Sequence, residues 1–216
     1  RHLRPMRKAL SFSLLAAAVF TVWSDSFRHK VLFDEYVLQG TAWHMHATKE
    51  IGTPIRAYDI AGTWLAIDTF LDKRPYFFTF LVSLLHDLTG YRLENAFGLN
   101  VGLAAICLAL VYWTGRVVTG RRAPALRAGA LLATLPLFGQ NATGASMEMH
   151  NLAMIAVVLV AGILYVRAPD ADRLSFLVLA AVLLAQSRYE SVLFVGPVAV
   201  MVVLGWVRGG RILLPW

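Results

Sequence analysis

Hydrophobic residues in this chain fall in long blocks separated by polar gaps. Six blocks read as membrane helices: residues 9–24, 96–115, 125–140, 151–166, 174–187 and 191–207. A hydrocarbon core about 30 Å thick is crossed by about 20 residues of helix, so the shorter blocks imply local thinning or extension into their polar flanks. The pattern predicts an all-α polytopic bundle, one transmembrane domain over residues 1–216. Its parts are a basic N-terminus with the first span (1–24), a long loop (25–95) and five further spans (96–216).

Residues 25–95 break this rhythm. The run PYFFTFLVSLLHDL (75–88) opens on Pro75, a favoured first helical position, and is followed by Thr89-Gly90 as a stop. It is short and ends in His86-Asp87, so it reads as a helix lying in the interface rather than a span. A second interfacial helix is expected from Asp34 onward, in DEYVLQGTAWHMHATK. The opening RHLRPMRK with its apolar stretch is like a signal peptide, but no small-residue cleavage site precedes Asp25, and it reads as an anchor helix. The chain begins on Arg1 and ends on Trp216 directly after an apolar run, as the N-terminal part of a longer chain would.

Composition excludes a soluble globule. The chain is 58% hydrophobic and 15% charged, with a mean hydropathy of +0.61, against about 45–50% and about 25% for soluble domains. Its net charge of +7 does not point to nucleic acid, because the basic residues sit beside apolar blocks rather than on one basic face. With the N-terminus cytoplasmic, that side carries twelve basic residues against two acidic, a net of +10. The other side has eight against eleven, −3, and the two restore the total of +7. Positive residues stay cytoplasmic, so both ends of the segment are placed there, in an integral protein of a bacterial inner membrane. The lone Cys107 lies in an apolar run and reads as a small buried hydrophobe.

The external side collects the candidate chemistry from four gaps: Asp34 and Glu35, Lys73 and Arg74, Glu148 and His150, Arg188 and Glu190. Simple structural roles exist for most of them. Asp34 suits a helix N-cap, Glu35 a first helical turn, Glu148 the start of the fourth span, and Arg188 a headgroup anchor. Lys73 and Arg74 are different. Two cations just before a helix N-terminus oppose its dipole and favour an anion docked there, a phosphate at a membrane surface. His44 and His46, two apart, point about 200° away from each other on a helix and cannot chelate one ion. His150 could join Glu35 or Glu148 at a divalent metal ion.

The phrase VLFDEYVLQGTAWHM resembles the first external loop of polyprenol-phosphate-sugar-dependent glycosyltransferases of the GT-C superfamily, in the protein O-mannosyltransferase and aminoarabinose-transferase group. LDKRPYFFTFLVSLLHDLTGYRLENAFGLNVGLAAI resembles their Lys-Pro-Pro segment, with Lys73-Arg74-Pro75 carrying arginine where the first proline is usual. SMEMHNLAMI and SRYESVLF are similar to later external turns of the family.

The resemblance implies an inverting transferase that moves a sugar from a polyprenyl-phosphate donor to a hydroxyl acceptor. Asp34 would be the base. Glu35 would orient it or help hold the metal, and Lys73, Arg74 and Arg188 would bind the donor phosphate. Glu148, His150 and Glu190 would support the site. Membrane lipids and other membrane subunits are the implied partners. The competing expectations are a non-catalytic subunit on the same scaffold and, last, a transporter, whose ionisable residues would line its spans.

Overall fold

A computed structural model describes residues 25–215, and the first expected span (9–24) lies outside them. The order is α1 (Leu32–Thr48), β1 (Thr53–Ile60), β2 (Thr63–Phe70), α2 (Phe77–Thr89), α3 (Glu94–Thr119), α4 (Arg122–Ala133), α5 (Pro136–Ala142), α6 (Glu148–Arg167), α7 (Ala171–Ala185), a 3₁₀ segment (Tyr189–Phe194) and α8 (Val195–Gly209). The chain divides into two compact units, residues 1–149 and 150–216.

The fold is the helical membrane type that the sequence predicts. Three segments of the described chain are long and apolar enough to cross a bilayer: Glu94–Thr119, Glu148–Arg167 and Tyr189–Gly209. They coincide with the blocks expected at 96–115, 151–166 and 191–207. The block at 125–140 is not one helix. Leu135 is extended (φ −70°, ψ 123°) and Pro136 begins a new helix, since a proline inside a helix removes an amide and clashes with the preceding turn. That leaves pieces of 12 and 7 residues, each well short of about 20. The block at 174–187 folds as α7, which has only 15 residues. Asp170 caps its start by accepting the Arg173 N–H at 2.8 Å.

The segment 25–95 contains more than two interfacial helices. Between α1 and α2 the chain forms an antiparallel hairpin, which the hydropathy reading missed. Its strands join through Ala61-Gly62, both with positive φ (52° and 81°), the backbone of a tight two-residue turn. α1 starts at Leu32, before Asp34, and stops where Lys49 turns left-handed (φ 62°). α2 starts at Phe77 rather than Pro75. It buries Phe78, Val82 and His86 on one side and leaves Phe80, Leu84 and Leu88 exposed on another. An apolar outer stripe on so short a helix is the form that lies in a membrane interface.

The core of the first unit joins Leu38 and Ala42 of α1, Phe78 and Val82 of α2, Ala96 and Phe97 of α3, and Ala145 and Met147 of the turn before α6. This packing sets the start of α1 beside the start of α2. In the second unit α6, α7 and α8 pack through Val158, Tyr165, Leu177, Leu184 and Val198. Gly205 is needed there, because a Cβ on it would stand 2.1 Å from the Tyr165 ring. Small residues let membrane helices approach closely.

Candidate active site

Asp34 and Glu35 are adjacent in the first turn of α1 and do opposite things. Asp34 is not an N-cap: the cap position is Val31, and no side chain caps the helix. Its side chain is 47% exposed, and its Oδ1 accepts a hydrogen bond from the Arg74 guanidinium at 2.5 Å. Arg74 also donates to Asp72 Oδ2 at 2.6 Å, and Asp72 is in turn fixed by the Tyr76 hydroxyl on its carbonyl. Arg74 therefore bridges two carboxylates from different parts of the chain and holds the strand-to-helix link 71–76 against α1. Planar, two-pronged donation is what a guanidinium does best.

Glu35 is fully buried. Its Oε2 accepts the Lys30 N–H at 2.7 Å and its Oε1 the Ala145 N–H at 3.1 Å. A buried carboxylate is tolerable only with such partners. Gly144 makes the approach possible, since a Cβ there would lie 3.0 Å from Oε1 and 3.3 Å from the Lys30 stem. The same turn is gripped from α3, where the Asn100 amide donates to the carbonyls of Gly144 and Ser146, both at 2.9 Å. Glu35 and Asn100 together hold the turn at residues 144–146.

Lys73 is exposed and has no ion pair or hydrogen bond among the described residues. The structure thus joins Asp34 to Arg74 and Asp72, with Lys73 next to Arg74 in the chain, while Asn100 grips the turn that Glu35 meets. Asp72 could have been flagged by its place two residues before a cation in LDKRP, and Asn100 as a lone amide inside an apolar block.

Glu148 opens α6, where its charge suits the positive helix end, and His150 is buried in the same turn. In the second unit Arg188 is engaged by Glu190 at 2.7 Å. Both Glu35 oxygens are occupied by backbone amides, and no group of three His, Cys, Asp or Glu that could hold a metal occurs among the described residues.

At the far end of α1 a second cluster forms. Asp87 of α2 bonds His46 and takes the Lys49 ammonium at 2.5 Å, and these bonds, Lys49 first, hold its carboxyl below the usual range. Trp64 Nε1 of the hairpin donates to His44 Nδ1 at 3.2 Å. Burial pulls the His86 imidazole from 6.5 down to about 4, with nearby His46 adding to the effect and Asp87 opposing it. Burial likewise lowers His44.

The described chain thus combines three helices long and apolar enough to cross a bilayer with a short apolar helix α2 and an Asp34–Arg74 pair. The dolichyl-phosphate-mannose-protein mannosyltransferase family matches residues 73–215, most of the chain, and the protein belongs to it. No curated protein and no solved structure matches the chain. The family match takes in Lys73 and Arg74 but begins beyond Asp34 and Glu35.

Proposed function

We propose that the protein transfers a sugar from a polyprenyl-phosphate donor to a hydroxyl acceptor, with inversion, on the external face of the membrane. The observation that carries this reading is the Arg74 bridge. It orients Asp34 through Oδ1 and sets Lys73, without a counter-ion among the described residues, immediately beside the pair. Asp34 Oδ2 then takes the proton of the acceptor hydroxyl. The acceptor oxygen attacks the anomeric carbon, and the bond from that carbon to the phosphate oxygen breaks with its electron pair leaving on the polyprenyl phosphate. Lys73 and the remaining donors of Arg74 take up the charge that grows on the phosphate. A sugar on phosphate already has a good leaving group, so the base is the group most needed. The donor's lipid tail keeps the reaction at headgroup level, where α2 lies. Arg188, engaged by Glu190, is given no part in this step.

The test is Asp34→Asn in the full chain, assayed with a polyprenyl-phosphate sugar. Transfer falls about 10²–10⁴-fold while the melting temperature stays near wild type, because the side chain is half exposed. Transfer at the wild-type rate would remove the base and favour a non-catalytic subunit built on the same scaffold.

A further inference from the structure

A polar cavity of about 540 Å³ lies in the first unit, lined by Arg28, His29, Lys30, Tyr36 and Gln140. It is not the Asp34–Arg74 site. Tyr36 is two residues beyond Asp34 on α1, and side chains so spaced point about 200° apart, so the two sites use opposite faces of the same helical turns. Between them lies buried Glu35, bonded to the Lys30 amide.

The lining has a consistent chemistry: all five side chains can donate a hydrogen bond and none is acidic. Arg28 is exposed and makes no ion pair or hydrogen bond among the described residues, although Asp25 feels its charge. The Lys30 ammonium is held at 2.7 Å by both Asp25 and the Ser26 carbonyl, which fixes it in place. His29 stacks on Tyr36 (ring centroids 4.4 Å apart) and meets Phe97 edge-on, so its orientation is set by packing, yet its Nε2 is buried with no partner. An unsatisfied buried nitrogen is costly, and a rigid set of donors around an open cavity is prepared for an acceptor.

The cavity falls within the roughly 300–1,000 Å³ of small-molecule sites, more than a bare phosphate fills. In the same stretch of chain as four of these lining residues, Phe27, Val31 and Phe33 are exposed. Donors inside and exposed apolar side chains beside them suit an amphiphile with an anionic head.

The geometry points to a second phosphate-binding subsite at Arg28, His29, Tyr36 and Gln140, which takes the phosphorylated headgroup of a membrane amphiphile on the face of α1 opposite Asp34. It stands whether or not the chain transfers sugar. Hydrogen exchange with mass-spectrometric readout, on the full chain in phosphatidylcholine nanodiscs, tests it with two probes: phosphatidylglycerol included in the disc, and soluble glycerol phosphate. Exchange slows in residues 27–36 and 138–144. Arg28→Gln weakens the apparent affinity about tenfold, the loss of one charge-assisted bond. Tyr36→Phe weakens it less, and Lys73→Gln leaves this protection in place. Protection by the lipid alone assigns a bilayer source, and protection by glycerol phosphate alone assigns a soluble one. No protection with either probe, protection confined to residues 72–78, or protection that survives Arg28→Gln overturns the subsite.

Discussion

Helix α1 ends in a polar cluster at each terminus, and both clusters tie it to the chain around α2. At the C-terminal end Asp87 accepts from both His46 and Lys49, and buried His86 is bonded by the Asn95 amide. Asp87, His46 and Lys49 satisfy one another there, and the cluster holds the elements together. At the N-terminal end the accounts do not close. Arg74 is shared between Asp34 and Asp72, Asp34 stays half exposed, and Lys73 has no partner among the described residues. A latch satisfies its charges internally. A site keeps some for its ligand.

That contrast is broken most sharply by changing one group at a time. Asp34→Asn costs transfer its two to four orders of magnitude and leaves stability alone. Its neighbour Glu35 behaves in the reverse way. Glu35→Ala strands the amides of Lys30 and Ala145, each worth about 1–3 kcal/mol when left unpaired, so thermal unfolding in detergent should show a loss of about 2–6 kcal/mol. Glu35→Gln keeps one acceptor oxygen and falls between. If Glu35→Ala unfolded like wild type, the turn 143–147 would be held by something other than this carboxylate.

Much of this was readable in the chain, for identifiable reasons. The blocks around α3, α6 and α8 carry unbroken apolar runs, and α2 has its stop signal at Thr89-Gly90. Lys73 and Arg74 stood out because two cations before a helix N-terminus have no local purpose, and Asp34 through the family resemblance of its Asp-Glu pair. What stayed hidden depends on partners far along the chain. Glu35 is paired with an amide 110 residues away, and nothing in the string FDEY distinguishes the buried acid from the exposed one. The hairpin left a local signal, eight-residue runs rich in β-branched and aromatic residues on either side of Ala61-Gly62, but hydropathy over a membrane-length window averages such alternation away. The break at Pro136 was visible as a proline and was outweighed by the apolar residues around it.

Smaller effects sharpen the comparison further. Lys73→Gln removes a charge with no structural partner among the described residues, so kcat/KM for the donor falls roughly tenfold, the worth of one charge-assisted bond, with unchanged melting. A drop in melting temperature of the size seen for Glu35→Ala would mean that Lys73 belongs to the scaffold.

The latch end responds to pH instead. His86 is 2% exposed, and its imidazole titrates near 4 when folded against 6.5 for the free group. Between those values the unfolded chain binds a proton that the folded chain does not, so stability is lost as pH falls from about 6.5 to about 4. The slope is at most roughly 1.4 kcal/mol per pH unit for one group. Asp87 acts lower down: its carboxyl is depressed, so its contribution persists until the pH drops below the ordinary value of 3.8. The two windows are therefore separable by melting the protein from pH 7 to pH 3. His86→Gln keeps a polar group near Asn95 but does not titrate, and it flattens the upper window while sparing the lower one. A variant profile that still declined between pH 6.5 and 4 as the wild type does would assign that decline to another group, with His44, also lowered by burial, the next to replace.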